Sequence, residues 1–141
     1  MRRRILPVRS AAGLALVVAA VVTSFAKAQG AKSAVIFDRA LPAMDGRQLN
    51  VKVVDVRYGP GGGSTPHRHG CAVTVYVVSG AMRMGVRGEP DSVYTAGQVF
   101  FERPTDIHQV GANASATDSA HFTATFVCDR PGPLTTPVPP A

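Results

Sequence analysis

A chain of 141 residues, 45% hydrophobic and 17% charged, suffices for one globular domain and is too short for two. Its formal charge of +6 is a poor guide to partners, because five of the fifteen basic residues and none of the nine acidic ones lie in the first 28 positions. The rest balances ten against nine, and no basic groove interleaved with aromatics offers a footing for nucleic acid.

The chain opens with Arg2, Arg3, Arg4 and Arg9, continues with a short apolar run over residues 11–22, and reaches the small-x-small sequence Ala26-Lys27-Ala28. That order predicts a cleaved signal peptide over residues 1–28 and a periplasmic or secreted protein. A bilayer span needs roughly twenty apolar residues, so no stable membrane anchor is expected after cleavage. Arg-rich residues 2–6 leave the Sec and twin-arginine routes both open.

Beyond the leader, β-branched residues alternate with polar ones and no window carries a helical period, which predicts an all-β domain over residues 29–130. The expected strands are 34–37, 49–58, 73–78, 82–86, 92–94, 99–102, 108–110 and 121–127. Turn chemistry separates them: Asp45-Gly46, the run from Gly59 to Gly63, Ser79-Gly80, Gly88-Glu89-Pro90 and Ala96-Gly97. Short strands at this spacing fit a sandwich or jelly-roll barrel. Residues 131–141 are too rich in proline for a central strand and are expected to form an extended tail or the cover of a strand edge at a subunit contact, one of two hints of a homodimer.

The most informative residues are His67 and His69, which follow Gly61-Gly62-Gly63-Ser64-Thr65-Pro66, together with His108. Residues two apart on a strand project to one side with Cα atoms about 6.6 Å apart, so two imidazoles can converge on one ion. A third from a neighbouring strand completes a tripod, the arrangement of a metal site that keeps open positions. The fourth histidine, His121, shares a strand with Phe122, Ala124 and Phe126, whose parity turns it away from the interior.

Here the sequence resembles the cupin superfamily. The first cupin motif, G-x5-H-x-H followed by a glutamate and a glycine, is matched by Gly61, His67, His69 and Gly80. The second is matched loosely by Gly97, Pro104, His108 and Asn113, with Pro104 and Asn113 each displaced by one position and Thr105 or Asp106 in place of a glycine. Val73 or Thr74 stands where the motif has its metal-binding glutamate. The resemblance covers residues 55–127 and implies a single-domain jelly-roll β-barrel holding a divalent transition metal on His67, His69 and His108.

Three neutral imidazoles leave a divalent ion its full charge, whereas two histidines and a carboxylate make the facial triad typical of non-haem iron. Fe, Zn, Mn, Ni and Cu all accept imidazole, so the ion is not specified. The resemblance implies a dioxygenase-type oxidoreductase acting on a small chelating or phenolic compound. A non-catalytic binding or sensor protein for a small-molecule ligand and a metal-dependent isomerase or decarboxylase are the alternatives. No acid or base is evident beside the histidines, which favours the binding protein among them. Glu102 reads as a solvated charge on the outer face of its strand, with a fourth-ligand role as the alternative. Cys71 and Cys128 admit a disulfide, two buried thiols, or a role for Cys71 at the metal. By parity Tyr76 faces outward, Met82 and Met84 fill the interior, and one of Phe100 and Phe101 packs inside while the other meets solvent or a dimer partner. Asn113-Ala114-Ser115 reads as a polar turn although it fits a glycosylation sequon.

Overall fold

The computed structural model describes residues 33–44, 46 and 49–139. The chain divides into Met1–Ser33 and Ala34–Ala141, and the fold below is that of the second unit. The expected export leader lies outside the described residues. Among the described residues no helix is long and apolar enough to cross a membrane.

Ten strands follow in order: β1 Asn50–Tyr58, β2 Gly63–Ser64, β3 His67–Arg68, β4 Ala72–Ser79, β5 Ala81–Val86, β6 Ser92–Thr95, β7 Val99–Glu102, β8 Ile107–Asn113, β9 Ala120–Cys128 and β10 Thr136–Pro137. They form two antiparallel sheets. One runs β1-β9-β4-β7; the other runs β10-β3-β8-β5-β6, with β2 also on β8. The fold is the all-β, cupin-like jelly roll that the alternation and the histidine motif imply. All the expected strands but one are present. Residues 34–37 form no strand: Val35 and Ile36 stay exposed, and Phe37 instead packs on Phe101 with ring centroids 5.9 Å apart. Propensity is overridden here by the aromatic contact that the tertiary structure offers.

Strict alternation builds the core. Val73, Val75 and Val77 of β4, Phe122, Ala124 and Phe126 of β9 and Phe100 of β7 form the inner face of one sheet and meet Met82 and Met84 of β5 from the other. Phe101, next in sequence, takes the outer face, where Phe37 and the Arg39 guanidinium, 5.0 Å from its ring, cover it from the same chain. Tyr76 likewise points outward, and Met82 and Met84 are fully enclosed. Cys71 and Cys128 are joined in a disulfide with Cα atoms 4.5 Å apart, which removes the buried-thiol and metal-ligand readings of Cys71.

The proline-rich segment folds back on its own domain. β10 lies against β3 at the sheet edge, the Val138 amide donates to the Pro66 carbonyl, and the Arg87 guanidinium donates to the Pro139 carbonyl. An edge is where proline is tolerated, since one side of the strand needs no donor. Asn113 is a buried turn lock: its amide donates to the Gly59 and Asp118 carbonyls, and its oxygen accepts from the Ser115 amide.

Candidate metal centre

The turn over Gly59–Gly63 delivers the first two histidines. Gly61 has φ +64, a conformation that L side chains rarely adopt, and its amide donates to the Ser115 carbonyl. The chain then enters β3 with His67 buried, Arg68 exposed and His69 buried, so the H-x-H parity expected from sequence is present. His108 arrives by register: it lies directly opposite His67 on β8. The three imidazoles each offer a nitrogen, and these atoms all lie within 4.8 Å of one another. His121 is on the far face, paired with Asp55, whose carboxyl is held below its ordinary range by that hydrogen bond.

The hydrogen bonds of the first two rings fix their tautomers. His67 Nδ1 donates to the Thr65 carbonyl at 2.7 Å, and His69 Nδ1 donates to the Leu134 carbonyl at 2.5 Å. A carbonyl can only accept, so both protons sit on Nδ1 and both Nε2 atoms carry lone pairs. Those two Nε2 atoms face each other at 3.2 Å. Two buried lone pairs at that distance repel unless a cation or a shared proton lies between them. An imidazole whose other nitrogen is tied to a backbone carbonyl is also the usual setting of a metal-bound histidine. The donor set therefore fits a divalent ion.

Burial favours the neutral forms of His69 and His108. Burial pushes His108 down to about 4, with smaller contributions from His67 and His69. Burial also lowers His69, against the Leu134 carbonyl, which raises it. His108 Nε2 has no hydrogen-bond partner.

Glu102 is where the sequence reading is corrected. It is 1% exposed, and its carboxylate stands 3.6 Å from His69 Nε2 and 3.5 Å from His108 Nδ1. Burial, then the nearby Asp106 carboxylate, pushes it up to about 8. The outer-face expectation fails on parity: β7 turns Phe100 and Glu102 to the same interior side. Once Phe100 is assigned to the core, Glu102 must follow it. The absence of an acid or base beside the histidines is overturned with it.

The histidines and Glu102 line a cavity of about 260 Å³ whose other walls are largely apolar, with Val54, Val56, Met84, Phe122 and Phe126 among them. Leu134 and Thr135 of the returning tail close one side. No Lys or Arg is among the described residues that line it.

A two-sheet barrel with an inward imidazole trio is the architecture of a cupin-type domain. The cupin domain family matches residues 54–126, more than half of the chain, and this protein belongs to that family. Its fold is similar to that of a cupin-like protein from Thermotoga maritima (23% identity, TM-score 0.50, 55% of this chain and 56% of that one). A DMSP lyase structure shows 24% identity and a TM-score of 0.55 over 63% of this chain and 44% of the other. Both likenesses concern the fold alone. Oxalate oxidase in complex with the substrate analogue glycolate shows 27% identity and a TM-score of 0.50 over 58% of this chain and 44% of that one. This chain thus spans about half the length of these structures. No curated protein matches it by sequence.

Proposed function

We propose that this is an exported metal-binding cupin in which His67, His69 and His108 hold one divalent transition-metal ion. We further propose that it acts, with dioxygen, as an oxidoreductase on a small chelating or phenolic compound. The observation that carries the metal reading is the pair of facing Nε2 lone pairs 3.2 Å apart, each ring held in that tautomer by a backbone carbonyl. The arginine leader and Ala26-Lys27-Ala28 support export, and an intact mass that places the mature N-terminus at Gln29 is its test.

An ion held there would act as a Lewis acid toward oxygen donors of the substrate. The protein supplies the rest. Thr65 and Leu134 carbonyls hold two rings in the ligating tautomer, and β1, β4 and β9 contribute apolar walls beside the polar end of the cavity. A cavity of about 260 Å³ admits a small molecule, with the histidines and Glu102 on its polar wall together with Tyr58, Ser64, Thr65 and Thr135. The likeness to oxalate oxidase bound to glycolate supports a substrate with adjacent oxygen donors.

Metal content after loading with Fe, Mn, Ni, Cu or Zn is the direct test. His67→Ala, His69→Ala and His108→Ala should each remove most of it, while His121→Ala should leave it. Equal metal in the wild type and the triple variant would end the metal reading. Glycolate should bind the loaded protein, and catechols, β-diketones and flavonols should be consumed by it only with dioxygen. Chelator binding without oxygen uptake for every ion would instead indicate a binding or sensor protein. Turnover without oxygen would indicate isomerase or decarboxylase chemistry.

A further inference from the structure

The first cupin motif carries a glutamate where this chain has Val73, and Val73 on β4 lies directly opposite Glu102 on β7. Residues directly opposite on adjacent antiparallel strands project to the same face with Cβ atoms about 4.5–5.5 Å apart. A carboxylate sent from position 102 therefore enters the volume that one from position 73 would reach. Glu102 does so: Oε1 is 3.5 Å from His108 Nδ1 and Oε2 is 3.6 Å from His69 Nε2.

These separations are too long for hydrogen bonds, whose N···O distance is about 2.9 Å. They lie just beyond the spacing of neighbouring donors around one ion, within reach of a small side-chain adjustment. Two atoms each about 2.1 Å from a metal are about 3.0 Å apart at a right angle and about 3.4 Å apart at the tetrahedral angle. The 3.2 Å between His67 Nε2 and His69 Nε2 falls in the same range. Glu102 Oε2 is fully enclosed without a hydrogen-bond partner, and the described residues around the cavity offer it no Lys or Arg. A buried carboxyl so placed is neutralised either by its own proton or by a cation from outside the chain, and the three imidazoles beside it favour the cation.

We propose that Glu102 is the fourth protein ligand of the centre, supplying from β7 the carboxylate that β4 lacks. The proposal rests on the metal-binding reading of His67, His69 and His108. One carboxylate lowers the net charge of a divalent site by one unit and shifts it toward ions that favour mixed nitrogen and oxygen donors, Mn and Fe over Cu.

The test compares wild type, Glu102→Gln, and Val73→Glu/Glu102→Gln. Mn(II) affinity is measured by titration against a competing chelator, and ligation by the EPR zero-field splitting of bound Mn(II). Thermal unfolding of the metal-free proteins serves as the control for folding. Glu102→Gln should fold, lose at least tenfold in Mn(II) affinity and change the EPR spectrum; the double variant should regain both. Wild-type affinity and an unchanged spectrum in Glu102→Gln, with metal still lost in His67→Ala, would overturn the Glu102 assignment alone. Absence of bound Mn, Fe, Ni, Cu and Zn in the wild type would overturn the metal reading and this assignment together.

Discussion

Removing the disulfide is the perturbation whose size the structure sets most directly. Cys71 and Cys128 are separated by 57 residues, and the bridge denies the unfolded chain the freedom of that loop. For a loop of this length the chain-entropy relation gives about 4 kcal/mol at 25 °C. Stabilities of small domains run from about 5 to 15 kcal/mol, so the loss is a large fraction of the total. For a domain of about a hundred residues it corresponds to a fall in Tm of roughly 15–20 °C. Both cysteines are buried, so Cys71→Ala/Cys128→Ala leaves only a small void beside the entropic effect. The assay is thermal and urea unfolding of the metal-free double variant against the oxidised wild type. Reduced wild type, which keeps the sulfur atoms, serves as a second comparison. Cys71 lies two residues beyond His69 in sequence, so metal affinity should fall as well. A Tm loss under about 5 °C would refute the entropic argument. Two labelled thiols per chain under denaturing, non-reducing conditions would refute the bridge itself.

Three further outcomes are expected. In metal-free protein Glu102 is pushed up to about 8 from 4.5, so between those values the folded state holds the extra proton and stability falls as pH rises. His108, pushed down to about 4 from 6.5, has the opposite slope between those values, because there the unfolded chain holds the extra proton. Above pH 6.5 only the Glu102 slope remains, and urea unfolding with a chelator present should show about 2 kcal/mol lost by pH 8; the same loss in Glu102→Gln would refute it. Ending the chain after Gly132 removes the Leu134 carbonyl that holds His69 and should weaken metal binding about 10–100-fold by calorimetry. Leu134→Ala, which keeps the carbonyl, should do much less. A Cβ at Gly111 would stand 2.9 Å from His108 Cε1 and 2.8 Å from Ser64 Oγ, so Gly111→Ala should displace the ring and lower metal affinity roughly tenfold or more while all ligands remain. Unchanged affinity would show that the ring has room to shift.

Most of the barrel is legible in the sequence because one face of each strand is apolar. The H-x-H pair is legible because its spacing equals the strand period. Glu102 is less so. Adjacent Phe100 and Phe101 give no local sign of which faces inward, and that choice decides the side of the glutamate. It is settled by contacts distant in sequence, Phe100 beside Val75 of β4 and Phe37 with Phe101. Residues 34–37 mislead for the converse reason: their composition favours a strand, but Phe37 packs over the Phe101 ring and the segment joins no sheet. The Leu134 contact has no sequence signature, since a backbone carbonyl belongs to every residue. The cysteine pair becomes decidable only once β9 and the start of β4 are known to be adjacent.

The place of β9 in its sheet has a consequence for how the chain assembles. β9 is the sole neighbour of β1 and also pairs with β4, so it joins a strand from the start of the domain to the rest of the sheet. Until it docks, β1 has no partner for its backbone donors and acceptors, and Cys128, its last residue, cannot meet Cys71. Such distant pairing places a chain among the slow folders, because a long loop must close before the contact that rewards it can form. β3 and β8, by contrast, can pair without β9 and carry His67 and His108 between them. Phe126, whose ring centroid lies 5.1 Å from that of His69, reaches the cavity only with β9. The pairing that sets His67 opposite His108 is thus independent of β9, whereas the aromatic wall over His69 depends on it.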